Sequence, residues 1–274
     1  MVRVFNEILG REVDVPERPR RIISFSPAIT ESLFLLGLGE NLVGVSAFCA
    51  RPPQAKHIRK VGSYNTASFE TLAELKPDLI LTVTGYQRDF AIRMSARFPV
   101  YPLELPVSVA GIIDTVVKLG LLLGIPNRAR EVATTLALKL TDFRPLSKNL
   151  HVYVEVDLGG PVSFGAYSYI TDAISFFGCS NIYGEVRSEW LTPDLDEIAN
   201  INPEILLFEA KMFSKFGSED LEKLIDGRKW RKLTSVTKGN YYLTPGPLDF
   251  LAHHGPSFIV DAMPWLKQKF ADAL

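Results

Sequence analysis

"YNTASFETLAELKPDLILT" (Tyr64–Thr82) and "WLTPDLDEIANINPEILLF" (Trp190–Phe208) are two copies of one phrase. A shift of 126 positions carries Tyr64 to Trp190, Glu70 to Asp196, Ala73 to Ala199, Pro77 to Pro203 and Leu81 to Leu207. Each copy opens on an aromatic residue and continues as a short helix. The helix must stop before its proline, because the residue preceding proline avoids the helical region. The continuous apolar run that follows, such as "DLILTV", is the pattern of a strand buried on both faces.

The repeat extends outward. "RIISFSPAITESLFLLGLGENLVG" (Arg21–Gly44) matches "HVYVEVDLGGPVSFGAYSYITDAISFFGCSNIYG" (His151–Gly184), pairing Ile29-Thr30-Glu31 with Ile170-Thr171-Asp172 and Gly37 with Gly178. In the first copy Ser26 offers an N-cap with Pro27 in the first helical turn, and the helix ends at Gly37. Each half therefore reads strand, helix, short strand, aromatic loop, helix, strand. Strands alternating with helices predict parallel sheets. Between the halves, Val132, Leu136, Leu140 and Phe143 form a helical stripe bracketed by Pro126 and Pro145. The reading is α/β: two Rossmann-like lobes (1–126 and 148–274) with parallel sheets, joined by one long rigid helix over 127–147, its helical core at about 127–144. Ligands of open α/β sheets bind beyond the carboxyl ends of the strands, so the lobes are expected to face each other across a cleft.

The totals exclude several classes. With 30 basic and 31 acidic residues, the net charge of −1 gives no electrostatic footprint for nucleic acid. The basic runs at Arg18–Arg21 and Arg228–Lys232 read as solvated surface. Cys49 and Cys179 are far apart and define no disulfide framework or zinc knuckle. No apolar run approaches the ~20 residues of a membrane span. The first residues lack the apolar segment of a signal peptide. An extracytoplasmic location (periplasmic or cell-surface) is expected if a signal has been removed, and a cytoplasmic one if Met1 is the native start. There is no GK[ST] phosphate loop, no GxGxxG after a strand, no HExxH and no GxSxG elbow. Among the acids, Glu155, Asp157, Glu204 and Glu209 read as strand-end solvation. No catalytic residue and no metal site is assigned.

What remains is aromatic. Tyr64 and Trp190 occupy equivalent loops, Phe48 follows "NLVGV", Tyr86 follows "LILTVTG", and Phe164 and Tyr167 lie in "GGPVSFGAYS". A late Pro- and Gly-rich stretch, Thr244–Phe258, carries Asp249, Phe250, His253 and His254. Flat rings in opposing walls suit a large, planar, partly apolar ligand. Glu70 and Asp196, the latter followed by Glu197, sit where acids favour a helix N-terminus; the alternative is one docking charge on each lobe.

These phrases resemble the substrate-binding proteins of ABC importers for cobalamin, ferric siderophores and haem, over nearly the whole chain from about Val4. The SPxxTE opening, "AELKPDLIL" and "INPEILLF" carry the likeness, and the cobalamin-binding branch is nearest. The resemblance implies two lobes on one backbone helix, with Phe48, Tyr64 and Trp190 lining a corrin pocket. It implies Glu70 and Asp196 docking on a permease, with Glu197 beside them. It also implies no resident cofactor, the cobalamin or iron complex being the transported ligand, and a monomer without enzymatic activity. The chain departs from the pattern at Val83, where a tryptophan is expected and Tyr86 can compensate. At Val162 an aromatic is expected and Phe164 follows. In the late loop Asp249 matches, but the expected arginine is absent and His253 falls nearby. Two further readings stay open: a cytoplasmic corrinoid-binding protein on the same fold, and an enzyme using His253, His254 and Asp249.

Overall fold

In the computed structural model, which describes residues 1–274, the chain opens on a hairpin of β1 (Val2–Asn6) and β2 (Arg11–Val15). The Rossmann-like part of the first unit follows: β3 (Ile22–Ser24), α1 (Pro27–Leu35), β4 (Leu42–Ser46), β5 (Lys60–Gly62), α2 (Phe69–Leu75), β6 (Leu79–Val83), α3 (Arg88–Ser95) and β7 (Val100–Leu103). The five strands β3–β7 run parallel in the order β5-β4-β3-β6-β7. Ile23, Phe25, Val61, Leu72, Ile80, Phe90, Met94 and Val100 pack as one buried cluster.

Local chemistry sets these elements as read. Ser26 caps α1, its hydroxyl accepting from the Ile29 amide, with Pro27 behind it. Ser68 caps α2 through the Thr71 amide. Lys76, held before Pro77, ends α2 in the left-handed region at φ 45°. The second copy repeats this stop: Asn202, before Pro203, has φ 55°.

Helices α4 (Val109–Leu122) and α5 (Pro126–Leu140) come next. They pack closely at Gly120, where a Cβ would stand 2.0 Å from that of Ala129. The helix expected to reach Arg144 ends at Leu140. Thr141, Asp142 and Phe143 each donate three residues back instead, and the Arg144 guanidinium caps the Thr141 and Phe143 carbonyls. Pro145 excludes a further turn.

The second unit contains β8 (His151–Asp157), β9 (Pro161–Phe164), α6 (Tyr169–Phe176), β10 (Ser180–Asn181), β11 (Trp190–Leu191), α7 (Leu195–Ile201), β12 (Ile205–Glu209), α8 (Ser218–Gly227), α9 (Thr234–Thr237), β13 (Tyr241–Leu243) and α10 (Met263–Asp272). Here the expectation of a parallel sheet needs correction. Strands β10, β8, β12 and β13 are parallel, but β9 and β11 join antiparallel. The cause is the turn at 158–160: Asp157 accepts from the Gly159 and Gly160 amides, and Gly159 takes φ 105°, so β8 folds straight back on itself.

Compactness divides the chain into Met1–Leu105 with Ile112–Ala137, and Pro106–Gly111 with Leu138–Leu274. The chain thus passes from one unit to the other at three points, two of them inside α4 and α5.

Two sequence expectations about charge are overturned. Glu155 is buried, not solvated: Arg228 grips it through two bonds of 2.6 and 2.7 Å, and the Tyr153 hydroxyl donates to it at 2.5 Å. The run 228–232 is accordingly not all surface. Arg228 lies 4.8 Å over the buried Trp230 ring, and only Arg231 makes exposed pairs, with Asp226 and Glu222. Alternation along β8 turns Tyr153 and Glu155 to the same side, where α8 delivers Arg228. Arg228→Met, which leaves Glu155 buried and unpaired, should cost roughly 3–5 kcal/mol of unfolding free energy, measured by urea denaturation; a loss below about 1 kcal/mol would mean the pair is dispensable.

Candidate functional site

In the first unit the strand order reverses direction between β3 and β6, and the loops beyond the carboxyl ends carry the expected aromatics. Phe48 lies in the turn after β4, and Tyr64 follows β5. Their rings meet edge to face, centroids 6.4 Å apart at 87°, the preferred arrangement of two quadrupoles. Both are half-buried. Tyr86, in the turn after β6, is 50% exposed.

The residue that organises these loops is Gln87, which the sequence reading passed over. Fully buried, it accepts from the Val83 amide at 2.8 Å and donates to the carbonyls of Phe25 (3.0 Å) and Tyr64 (2.7 Å). One amide side chain thereby ties the ends of β3 and β6 to the Tyr64 loop.

In the second unit Trp190 stands directly opposite Phe164 in the β11–β9 ladder. Opposed residues of an antiparallel pair share a face, so the two aromatics are neighbours there. Phe164 is nearly buried and Trp190 half-buried, while Tyr167 is exposed. The late loop brings Asp249 and His253 together, Oδ2 to Nδ1 at 3.3 Å. His254 turns elsewhere, its ring 6.2 Å from that of Tyr169 at 60°. Burial, followed by the neighbouring His253, pulls the His254 imidazole down to about 3, so it is neutral at ordinary pH. Asp249, His253 and His254 do not converge as a metal-holding group.

The loop's anchor is Glu209, the last residue of β12, also expected to be a solvated strand end. It is buried, and its carboxylate accepts from three consecutive amides: Phe250 at 3.0 Å, Leu251, and Ala252 at 3.2 Å. Burial pushes this carboxyl up to about 7 against the pull of those amides. Glu204, by contrast, does lie at a strand entrance, accepting from the His151 amide at 2.8 Å.

The acids expected to dock a partner occupy equivalent exposed positions. Glu70 is in the first turn of α2, where its own amide and the Ser68 hydroxyl hold its carboxyl below the usual range. Asp196 and Glu197 are in the first turn of α7, capped by Asp194, which accepts both their amides. Position 194 is the counterpart of Ser68, and the sequence reading did not single it out as the cap.

Two doubly wound units in one chain, with aromatic loops around the strand ends, define the two-lobed substrate-binding class. The chain belongs to the periplasmic binding protein family, whose pattern matches residues 22–248. A vitamin B12-binding protein of Photorhabdus laumondii is 26% identical over 219 residues, covering 76% of this chain and 74% of that one. Among solved structures, the apo periplasmic haem-binding protein RhuT of Roseiflexus superposes with a TM-score of 0.77 at 22% identity, covering 93% of this chain and 98% of the other. The vitamin B12-binding protein BtuF of Vibrio cholerae gives 0.72 at 20% identity, with 93% and 98% covered.

Gln87→Leu keeps the side chain's size but strips three hydrogen bonds, those with the Val83 amide and the Phe25 and Tyr64 carbonyls. It should lower unfolding free energy by about 1–3 kcal/mol and raise amide hydrogen exchange at Asn65 and Thr66. Unchanged exchange in that loop would show that Gln87 does not hold it.

Proposed function

We propose that this protein is the substrate receptor of an ABC importer, that its ligand is cobalamin, with a ferric siderophore or haem as the next candidates, and that it works outside the cytoplasm and hands the ligand to a permease without chemical change. The Phe48–Tyr64 edge-to-face pair carries this reading: two half-buried rings beyond the strand ends offer apolar faces to a broad ligand and bring no charge that must be neutralised. Trp190, at the repeat position of Tyr64, supplies the second unit's indole. The curated relatives named as vitamin B12-binding proteins favour cobalamin. No helix is long and apolar enough to cross a membrane.

Affinity on this reading comes from ring burial, each aromatic removing about 150–250 Å² from water, and from a few hydrogen bonds in which Tyr86 and Asp249 take part, with the buried His253 behind Asp249. His254, neutral and buried, supports the loop, and Phe164 backs Trp190. Tyr64→Ala and Trp190→Ala should each weaken cyanocobalamin binding by about tenfold to a hundredfold while leaving the urea midpoint near that of the wild type. Calorimetric titration checks this; unchanged affinity in both variants would remove cobalamin from these loops.

Glu70 and Asp196 are the proposed docking charges, with Glu197 adjoining. Both carboxylates lie in the first turns of equivalent helices. The double reversal Glu70→Lys with Asp196→Lys should keep cyanocobalamin affinity within about twofold yet abolish stimulation of the permease's ATPase in proteoliposomes, since rim charges act on encounter with a partner more than on a ligand bound elsewhere. Full stimulation by the double variant would move the docking surface away from these helices.

A further inference from the structure

We infer that Thr30 and Thr171, one position of the internal repeat written twice, are the paired positioning residues of the aromatic loops: each hydroxyl, carried by α1 or α6, is bonded to the residue next to a ring and fixes where that ring stands. This rests on the proposed function in taking the Phe48 loop and the Phe164–Trp190 strand ends as ligand-contacting.

The equivalence of the two threonines is structural as well as sequential. The shift of 141 positions that carries Thr30 to Thr171 also carries Gly37 to Gly178. Both glycines close their helices with positive φ, 81° and 73°, so α1 and α6 end alike and the threonines stand at one height above that end. Both threonines are buried. A threonine inside a helix can return its hydroxyl to a carbonyl of its own preceding turn, as Ser32 and Ser175 do in these same two helices. Thr30 and Thr171 do not. Each reaches the residue six positions earlier, Ser24 or Gly165, and the same shift relates those two as well.

In the first unit the threonine holds the turn that bears Phe48. Thr30 Oγ1 lies 2.9 Å from Ser24 Oγ and 3.0 Å from Cys49 Sγ. The Cys49 thiol is also 3.3 Å from the Ser46 hydroxyl. The Cys49 amide donates to the Ser46 carbonyl at 3.1 Å, and the Ala47 amide donates to Gly62 at 2.8 Å. Phe48 therefore sits in a closed turn whose two ends, Ser46 and Cys49, are fully buried and bonded to each other and to α1.

In the second unit the same position holds the exit of β9. The Thr171 hydroxyl donates to the Gly165 carbonyl at 2.7 Å and accepts from Asn181 Nδ2 at 2.7 Å. That Asn181 nitrogen also donates to the Phe164 carbonyl at 2.8 Å, and Asn181 Oδ1 accepts from the Tyr183 amide at 3.2 Å. Two successive carbonyls are thus fixed by one buried pair of side chains. Gly165 has no room for a side chain, because a Cβ there would stand 2.5 Å from the Val186 and Ser188 carbonyl oxygens. This close approach lays residues 186–188 along 165–167: the Ala166 amide donates to Val186 at 2.7 Å and the Tyr167 amide to Ser188 at 3.1 Å. Trp190 follows at once and stands opposite Phe164.

The test separates local positioning from general stability. Thr30→Val and Thr171→Val keep the branched side chain and lose the hydroxyl, whereas Thr30→Ser and Thr171→Ser keep the hydroxyl. In the ligand-free protein, amide hydrogen exchange is read at Ala47 and Cys49 in the first unit and at Ala166 and Tyr167 in the second. Thr171→Val should speed exchange about tenfold at Ala166 and Tyr167 and leave Ala47 and Cys49 within about twofold of wild type. Thr30→Val should do the reverse, and both serine variants should stay within about twofold everywhere. Cyanocobalamin affinity, measured by calorimetry, should fall about tenfold in each valine variant and return to within about twofold of wild type in each serine variant. Exchange raised alike in both units would mark general destabilisation and overturn the positioning role. Local loosening with affinity unchanged, or serine variants no better than valine, would overturn it too. Where a valine variant does not fold, the alanine variant, which leaves space for water at the lost hydroxyl, is read in the same way. If the wild type binds none of cyanocobalamin, haemin and ferrichrome, the proposed function falls, while loosening confined to one unit in each valine variant still supports the threonines' hold on their loops.

Discussion

In each half of the chain a carboxylate at the entrance to one central strand takes the amide hydrogens at the head of its neighbour. Asp78, just before β6, accepts from the Arg20 and Arg21 amides at 2.8 and 3.0 Å, ahead of β3. Glu204, just before β12, accepts from His151, the first residue of β8, and its imidazole lies 3.2 Å away. These bonds fix the register of the two central pairs, Ile22 against Leu79 and Val152 against Ile205. Because the entrances are pinned, the exits of the same strands are placed as well, and everything proposed to touch a ligand hangs on those exits. Gln87 and Glu209 then take hold of the loops where the strands finish.

The two holders embody one solution with different chemistry. Both are buried side chains that satisfy backbone groups of a loop distant in sequence, and both act where an irregular segment would otherwise leave polar groups unpaired. Ordering a binding loop before the ligand arrives spares the complex that entropy. In the first unit the holder is a neutral amide. In the second it is a buried carboxyl group that receives three consecutive backbone amides.

How far the fold could be read from the residues follows from the range of the interactions. The duplication was visible because its determinants are local: a serine or aspartate cap, a left-handed residue before proline, an apolar run. Even Lys76 and Asn202, which adopt the same unusual conformation, are marked by the prolines behind them. Asp194 was obscured by two further acids in the same turn. The hairpin of β8 and β9 was written in Gly159-Gly160 but lay within a stretch aligned to a helix-bearing segment without one. The aromatic residues stand out in the sequence as loop positions, and the structure adds the contact of Phe48 with Tyr64 and the cross-strand neighbourhood of Phe164 and Trp190. What the sequence concealed are side chains acting across long separations: Gln87 on Phe25, Glu209 on Leu251, Arg228 on Glu155. No periodicity announces such partners, and composition made the two acids look like surface.

The path of the chain between its units carries a consequence for biosynthesis. Pro106–Gly111 belongs to the second unit although it precedes the last piece of the first, and the amide of Val109, at the start of α4, donates to Asp172 at 2.8 Å. The nascent chain can complete its first unit once Ala137 has emerged. The opening turn of α4 must wait for Asp172 and the remainder of its own unit, a delay of about 10–30 s at the ~5–20 residues per second of translation. The second unit thus includes a segment synthesised before the first unit is complete.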